Sequence, residues 1–211
     1  MTIKNLIKSY FFIFLSATQI FSSDNKFSEA DEKQTLSYLQ GFLKEAYDAA
    51  QNSLKDPSAK SKFADIIINN FSLEDMSPTV LGPYRAKLST EERKEFEKKL
   101  TNYFLKTYGT TEKIKLFAST EMDNKQIKAK PQIMSKNTRM VYNGTFKTSS
   151  GDVSAKFILL KKGKGVFRVG DIQIAGIGLI VGTRDQIATL HKNQTLPADK
   201  FLDAFESFIK K

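Results

Sequence analysis

One segment near the C-terminus, residues 167–187, constrains the fold more than any other part of the chain. It begins with strand-forming residues, passes several glycines and ends in the pattern of a helix. Its apolar residues change phase, because Phe167 and Val169 share one side of an extended chain whereas Ile172 and Ile174 share the other. Side chains alternate strictly along a regular strand, so this segment cannot be one regular strand.

A β-bulge or kink at Gly170–Asp171 accounts for the phase change, because glycine permits the backbone angles that a bulge requires. The strand is then expected to twist partway along, so that Val169 faces one apolar region while Ile172 and Ile174 face another. The glycines that follow let the chain leave the sheet. We expect Thr183 to cap a helix that closes over the strand.

The first 23 residues have the three-part pattern of a secretory signal peptide. Two lysines lie near the start, an apolar run follows from Tyr10 to Phe21, and Ser22–Ser23 supplies small residues for cleavage. The apolar run is shorter than a comfortable membrane span, and an uncleaved anchor is the alternative interpretation. We therefore expect residues 1–23 to be removed and residues 24–211 to form a single domain.

Charge and cysteine content limit the classes of partner. The chain has 33 basic and 23 acidic residues, and loss of the two lysines in the signal peptide leaves a net charge of about +8. The basic residues are scattered, with no motif typical of nucleic-acid binding, so an anionic membrane surface, an acidic partner or a merely solvated surface fits better. With no cysteine, the exported chain has no disulfides and relies on its core.

Apolar residues three and four positions apart predict that the first half of the domain is helical. The first predicted helix covers Ser28–Leu54, and Asp56–Pro57 ends it and allows another to start. Helical spacing continues through Phe63–Asn70. A third helix is predicted over Leu73–Leu81, before Gly82–Pro83.

The clearest helix begins with a capping box at Ser89–Glu92, in which each side chain bonds the other residue's backbone amide. We expect this helix to end at Gly109. It carries an apolar stripe of Phe96, Leu100 and Phe104. Such a stripe usually packs in a core, and the alternative is that part of it lines a cavity.

Beyond residue 109 the pattern changes to alternation with β-branched residues, which predicts strands joined by short polar links. Links this short favour consecutive antiparallel hairpins, and Pro131 places its strand at an edge or a bulge. The predicted strands are Lys113–Met122, Gln126–Met134, Thr138–Thr148, Val153–Lys161 and Val166–Ile174.

Two helices are predicted after the sheet. Thr183–Gln186 fits a second capping box, and Leu196–Pro197 marks another helix start with proline in its first turn. The last helix has a narrow apolar face, which we expect to pack in the core. The predicted fold is therefore α+β, with N-terminal helices on a curved antiparallel sheet of about four to five strands, and with C-terminal helices.

The sequence contains no convincing catalytic constellation. The single histidine, His191, has no second histidine or cysteine with which to bind a metal. Gly176, Gly178 and Gly182 have one residue too many between them for a dinucleotide-binding loop. Asp171 is the one acid flanked by apolar strand residues. We therefore expect a binding protein with no cofactor and no metal.

Two stretches together resemble the MlaC family, also called the toluene-tolerance family, of periplasmic phospholipid-binding proteins. The first runs from Asn70 to Arg85 and continues to Phe96, and the second is the segment 167–187. The residues that match are Phe71, Met76, Val80, Leu81, Gly82, Tyr84, Arg85 and Phe96 in the first and Val169, Asp171, Ile172, Gly176, Leu179, Arg184 and Gln186 in the second. The departures from the family pattern are Phe167, Gly170, Ile177–Gly178 and Thr183.

The resemblance implies an internal apolar cavity between helices and sheet that holds the acyl chains of a phospholipid. It also implies a periplasmic, monomeric, non-enzymatic carrier between an outer-membrane lipoprotein complex and an inner-membrane ABC transporter with an MCE-domain subunit. Such a carrier maintains the lipid asymmetry of the outer membrane. Nucleic acid is not an expected partner.

The resemblance and the apolar pattern together suggest a set of candidate residues. Arg85 or Arg184 is the candidate for the headgroup at the cavity mouth, or equally for an ion pair with Asp171. A bulky residue at Gly176 is expected to reduce lipid loading before it unfolds the protein. The candidate lipid-binding residues are Phe71, Met76, Val80, Leu81, Phe96, Leu100, Tyr103, Phe104, Val141, Phe157, Leu159, Val169, Ile172, Ile174, Ile177 and Leu179.

Two other functions are consistent with the sequence. An enzyme of cone-shaped α+β fold acting on an apolar small molecule would use Asp171 as its acid or base. A secreted adhesive module would use the basic surface to hold an acidic partner, with strong dependence on salt.

Overall fold

A computed structural model describes residues 25–120, 127–128, 130–149, 151–192 and 196–210. The predicted signal peptide lies outside the described residues, and so does most of the link between the helical half and the sheet. Within the described residues, no helix combines the length and the apolar character that crossing a membrane requires.

The first half of the chain is helical, as its apolar spacing predicts. A short 3₁₀ turn at Glu29–Asp31 leads into the first helix, and another at Gly82–Ala86 follows the third. The helices are α1 (Glu32–Lys55), α2 (Lys60–Asn70), α3 (Leu73–Leu81), α4 (Thr90–Tyr108) and α5 (Thr111–Ala118).

Helix α4 confirms the predicted capping box and its predicted end. The Ser89 hydroxyl accepts the Glu92 amide at 3.2 Å, and the Glu92 carboxylate accepts the Ser89 amide at 2.7 Å. Gly109 caps the C-terminus, and its amide donates to the Leu105 carbonyl. A Cβ at Gly109 would lie 2.5 Å from that carbonyl oxygen, which explains why glycine occupies the position.

Five strands form one antiparallel sheet in sequence order, which confirms the predicted succession of hairpins. The first strand is short and lies at the sheet edge directly after Pro131, where the missing amide of proline breaks no ladder. The strands are β1 (Gln132–Met134), β2 (Arg139–Thr148), β3 (Gly151–Gly163), β4 (Val166–Ile174) and β5 (Ile177–Gly178).

The predicted strand Lys113–Met122 is wrong, because residues 113–118 belong to helix α5. The Thr110 hydroxyl caps this helix by accepting the Lys113 amide at 3.3 Å. Ile114 and Ala118, four positions apart, are buried together. The alternation of lysines with apolar residues resembled a strand, but burial of one helical face decided the structure.

The predicted cap at Thr183 is also wrong, because Thr183 lies inside α6 (Leu179–Gln186) and is fully buried. A separate short helix, α7 (Ala188–Lys192), follows. The last helix, α8 (Ala198–Lys210), packs Phe201 and Phe205 against Phe96 of α4, as the prediction of a core helix requires.

The predicted bulge in β4 is confirmed, but its consequence differs from the prediction. Asp171 pairs with Ile158 and Val169 with Leu159, so Gly170 is the extra residue. After this insertion Ile172 pairs with Phe157, and alternation along β3 puts Phe157 on the same face as Leu159. The bulge therefore returns the later apolar residues of β4 to the face of Val169 instead of sending them to another region.

The helices cover this face, which we call the inner face, and two contacts fix their position. Phe71, at the end of α2, bridges to Val169, and the Ser72 amide donates to the Val169 carbonyl at 2.9 Å. Thr35 of α1 contacts the hydroxyl of Tyr142 on β2 at 3.0 Å. The opposite, outer face carries Asp171 beside the start of α6.

Candidate functional site

An apolar cavity of about 380 Å³ lies between the helices and the inner face of the sheet. Fourteen of its eighteen lining residues are apolar, and seven of these are phenylalanines, which is the character of a site for an apolar ligand. The lining residues are Phe42, Leu43, Phe63, Ile67, Phe71, Phe104, Tyr108, Lys113, Leu116, Phe117, Thr120, Phe146, Thr148, Val153, Phe157, Ile172, Ile174 and Leu179.

Contacts between aromatic rings hold the walls in place. Phe63 of α2 meets Phe117 of α5 at a centroid distance of 5.5 Å, which joins two helical walls. On the sheet side, Phe146 and Phe157 of neighbouring strands meet edge to face at 6.0 Å. Such pairs stabilise a fixed ring geometry beyond the burial of area. The cavity is therefore a space between ordered walls.

The mouth of the cavity lies between α5 and the end of β4. Leu116 and Ile174 both line the cavity, yet they are 60% and 43% exposed. A residue that is at once lining and exposed marks the place where the cavity wall meets solvent. Lys113, one turn before Leu116 and also exposed, lines the same opening.

Few polar groups line the cavity, and two of their hydroxyls have local acceptors. Thr120 donates to the Phe117 carbonyl at 2.6 Å, and Thr148 donates to the Gly151 carbonyl at 2.8 Å. Burial raises the pKa of Tyr108, which keeps this phenol neutral. No group of three or more potential metal ligands occurs among the described residues.

Asp171 lies on the outer face and anchors α6. Its carboxylate accepts the Ile180 amide at 3.2 Å and also bonds the amides of Ile172 and Leu179. Burial raises the pKa of this carboxyl, against the opposing effect of those amides. Asp171 thereby fixes the start of a helix whose first residue, Leu179, is a wall of the cavity.

A second cavity, of about 530 Å³, lies on the outer face beside Asp171. Five charged residues line it, so it lacks the continuous apolar wall of the inner cavity. Three of these charged residues take part in ion pairs: Lys162 contacts Asp75 at 2.7 Å, and Lys161 contacts Asp31 at 3.0 Å. This cavity is a poor environment for a hydrocarbon chain.

Comparison with known families decides the classification. The sequence profile described as "MlaC protein" matches residues 26–207. The chain belongs to the MlaC family. No curated protein sequence matches it significantly.

Among solved structures, a match is the phospholipid-binding protein from Ralstonia solanacearum in complex with a phospholipid. The TM-score is 0.64 at 13% identity, over 83% of this chain and 98% of that one. At this identity the likeness shows that the two proteins share a fold.

Some of the candidates suggested by the MlaC resemblance line the inner cavity, and others do not. Those on the lining are Phe71, Phe104, Phe157, Ile172, Ile174 and Leu179. Those buried away from the lining are Met76, Val80, Leu81, Phe96, Leu100, Tyr103, Val141, Leu159 and Val169. Ile177, in contrast, is 67% exposed and also lies off the lining.

The structure places neither arginine candidate at the mouth of the MlaC cavity. Arg85 and Arg184 are both exposed and lie outside the lining. Arg184 has Asp185 as its nearby acid, at 4.0 Å, whereas backbone amides occupy the carboxylate of Asp171. The cationic residue on the lining is Lys113.

Most of the missed lining residues lie on helices outside the two MlaC motifs, whereas Phe146, Thr148 and Val153 lie on β2 and β3. Phe42 and Leu43 come from α1, and Phe63 and Ile67 come from α2. On and just after α5, the spacing of Lys113, Leu116, Phe117 and Thr120 is that of one helical face. Recognition of Thr110 as a helix cap would have revealed that face.

Proposed function

We propose that this protein is a phospholipid carrier that encloses acyl chains in the inner cavity and leaves the headgroup at the mouth. The observation that carries the proposal is a phenylalanine-lined cavity, open between α5 and the end of β4, in an MlaC fold. A phospholipid-bound protein of the same fold from Ralstonia solanacearum supports it.

The energetics favour this use of the cavity. Each methylene moved from water to an apolar site contributes about 0.8 kcal/mol, so a free diacyl lipid crosses water very slowly. The inner cavity offers hydrocarbon walls, and two of its three hydroxyl-bearing residues already donate to backbone carbonyls. Acyl chains can therefore enter without leaving those donors unpaired.

Membership of the MlaC family supports a proposal about the cellular role. We propose that the mature chain works as a monomer in the periplasm, after cleavage of the predicted signal peptide. It would pass phospholipid between an outer-membrane lipoprotein complex and an inner-membrane ABC transporter with an MCE-domain subunit, and so maintain the asymmetry of the outer membrane. The scattered basic charge of the mature chain suits contact with anionic partners at both membranes.

The alternative of an enzyme is weakened by the position of Asp171, the one acid suggested for it. Asp171 is on the outer face, whereas the apolar cavity is on the inner face. Three backbone amides bond its carboxylate, which leaves it poorly placed to take a proton from a ligand.

Mass spectrometry of a solvent extract tests the proposal. Protein purified from a Gram-negative host without detergent should release phospholipid in a fixed molar ratio. Protein stripped of lipid should regain it from vesicles, with a product mass equal to that of the lipid offered. A chain that carries no lipid and takes none up would contradict the proposal, and chemical conversion of the lipid would favour the enzyme.

A further inference from the structure

The mouth of the inner cavity carries one cationic side chain among its described lining residues, that of Lys113. We propose that Lys113 binds the phosphate of the cargo lipid and selects phosphate-bearing lipids over neutral ones with the same acyl chains. This inference rests on the proposed function and assigns the headgroup contact within the same site.

The position of Lys113 on α5 suits this contact. Lys113 and Leu116 are three residues apart, so they share one side of the helix, and both line the mouth. Ile114 and Ala118 are buried on the other side and hold the helix in place. A lysine at such a boundary lays its methylene stem along apolar surface and keeps its ammonium in water. A headgroup phosphate would lie at that level when the acyl chains are inside.

The other polar lining residues are less suited to binding an anion. A hydroxyl has one hydrogen to donate, and those of Thr120 and Thr148 already go to backbone carbonyls. Tyr108 is neutral, because burial raises its pKa, so it brings no positive charge to the lining. Lys113 thus supplies the positive charge of the lining.

The ion pairs of the described residues involve other lysines, so the ammonium of Lys113 is available to a ligand within this part of the chain. The lysines in those pairs are Lys44, Lys99, Lys161, Lys162, Lys200 and Lys210. A phosphodiester has a single negative charge and several acceptor oxygens, which suits the compact charge of a lysine. A diacylglycerol has ester and hydroxyl oxygens that can accept hydrogen bonds, but it has no negative charge.

A competition experiment tests the proposal. The stripped mature chain is offered equal amounts of phosphatidylglycerol and diacylglycerol, with identical acyl chains, in micelles of a non-ionic detergent. The bound lipids are extracted and their ratio is measured by mass spectrometry. We compare the wild type with Lys113→Met and Lys113→Glu. Lys115→Glu is the matched control, because Lys115 is exposed on the same helix but lies off the lining.

We expect the ratio of bound phosphatidylglycerol to bound diacylglycerol to fall about tenfold in Lys113→Met and further in Lys113→Glu, with diacylglycerol taking the place of the lost phosphatidylglycerol. Lys115→Glu should keep the wild-type ratio. An unchanged ratio in Lys113→Glu would overturn the inference, and so would an equal fall in Lys115→Glu, which would indicate general surface charge.

Two further measurements distinguish a headgroup site from a site for free phosphate, and a failure of the Lys113 proposal from a failure of the proposed function. Inorganic phosphate alone, titrated by calorimetry into the stripped wild type, should show no saturable binding. Saturable binding that Lys113→Met abolishes would make this a site for the free ion and would overturn the headgroup assignment. A wild type that takes up neither lipid contradicts the proposed function. A wild type that takes up both, with Lys113→Glu unchanged, contradicts the role of Lys113 alone.

Discussion

The carboxylate of Asp171 occupies the space that a side chain on Gly178 would need. A Cβ at Gly178 would lie 2.5 Å from Asp171 Oδ2, and the other oxygen accepts the Ile180 amide. The bulge at Gly170 brings the carboxylate to this place. The start of α6, and with it the cavity wall at Leu179, therefore requires a residue without a Cβ at position 178.

We predict that Gly178→Ala destabilises the protein by about 1–3 kcal/mol, because the new methyl group pushes Asp171 away from the helix amides. Urea unfolding monitored by circular dichroism measures the change. Gly182→Ala is the control, since a Cβ there meets Ile177 at an ordinary 3.9 Å inside α6. Equal stability of Gly178→Ala and wild type would show that Asp171 does not hold the helix.

Asp171 should also give the stability an unusual dependence on pH. Burial raises its pKa above the ordinary 3.8, so the folded state binds the proton more tightly than the unfolded state. The contribution of this group is therefore most favourable below the unfolded pKa and decreases as pH rises through the folded pKa. The stability of the wild type relative to Asp171→Asn should decline between pH 4 and neutrality. A difference in the free energy of unfolding between the two proteins that stays constant across that range would contradict a raised pKa for Asp171.

The contribution of Asp31 to stability should depend on pH in the opposite direction. Burial opposes its ionisation, but the Ser28 amide and the Lys161 ammonium, 3.0 Å away, outweigh that effect and lower its pKa below 3.8. Its stabilisation is thus present above the unfolded pKa and is lost as pH falls through the folded value. Asp31→Asn should cost about 1.5–3 kcal/mol at pH 7 and little at strongly acidic pH. Urea titrations of the wild type and Asp31→Asn at each pH measure this loss of stability. A loss that grows as the pH falls would contradict a lowered pKa for Asp31.

The sequence predicted the features that depend on local chemistry. The reciprocal bonds of Ser89 and Glu92 and the bulge at Gly170 both require particular residues at particular positions, and both are present. The face to which Ile172 returns could not be predicted, because it depends on its pairing with Phe157 across two strands.

The cavity mouth was missed for a related reason. The segment that begins at Lys113 alternates like a strand, and burial of Ile114 and Ala118 against other helices decides that it is a helix. Without α5, neither Lys113 nor Leu116 could be placed at the mouth. The headgroup candidates were therefore the arginines of the family motifs, which lie outside the lining.

The geometry at Gly176 changes the expected effect of a bulky substitution there. Gly176 is exposed and lies off the cavity lining, and a Cβ there meets open space, so a larger side chain would extend into solvent. Its φ of +83° makes any other residue strained. We now expect a bulky substitution at Gly176 to cost stability and to leave the lipid capacity of the folded protein unchanged, as measured by the amount of lipid extracted per folded chain.

Tryptophans on the two faces of β3 test whether lipid occupies the inner cavity. Val153 is half-buried and lines the inner cavity, whereas Ile158 is half-buried and lines the outer one. Mass spectrometry of lipid extracted from Val153→Trp and Ile158→Trp, both checked for folding by circular dichroism, compares the two. We predict that Val153→Trp loses at least about half of its lipid, because the indole fills an acyl site, and that Ile158→Trp keeps wild-type loading. Full loading of Val153→Trp together with loss in Ile158→Trp would contradict it and place the lipid on the outer face.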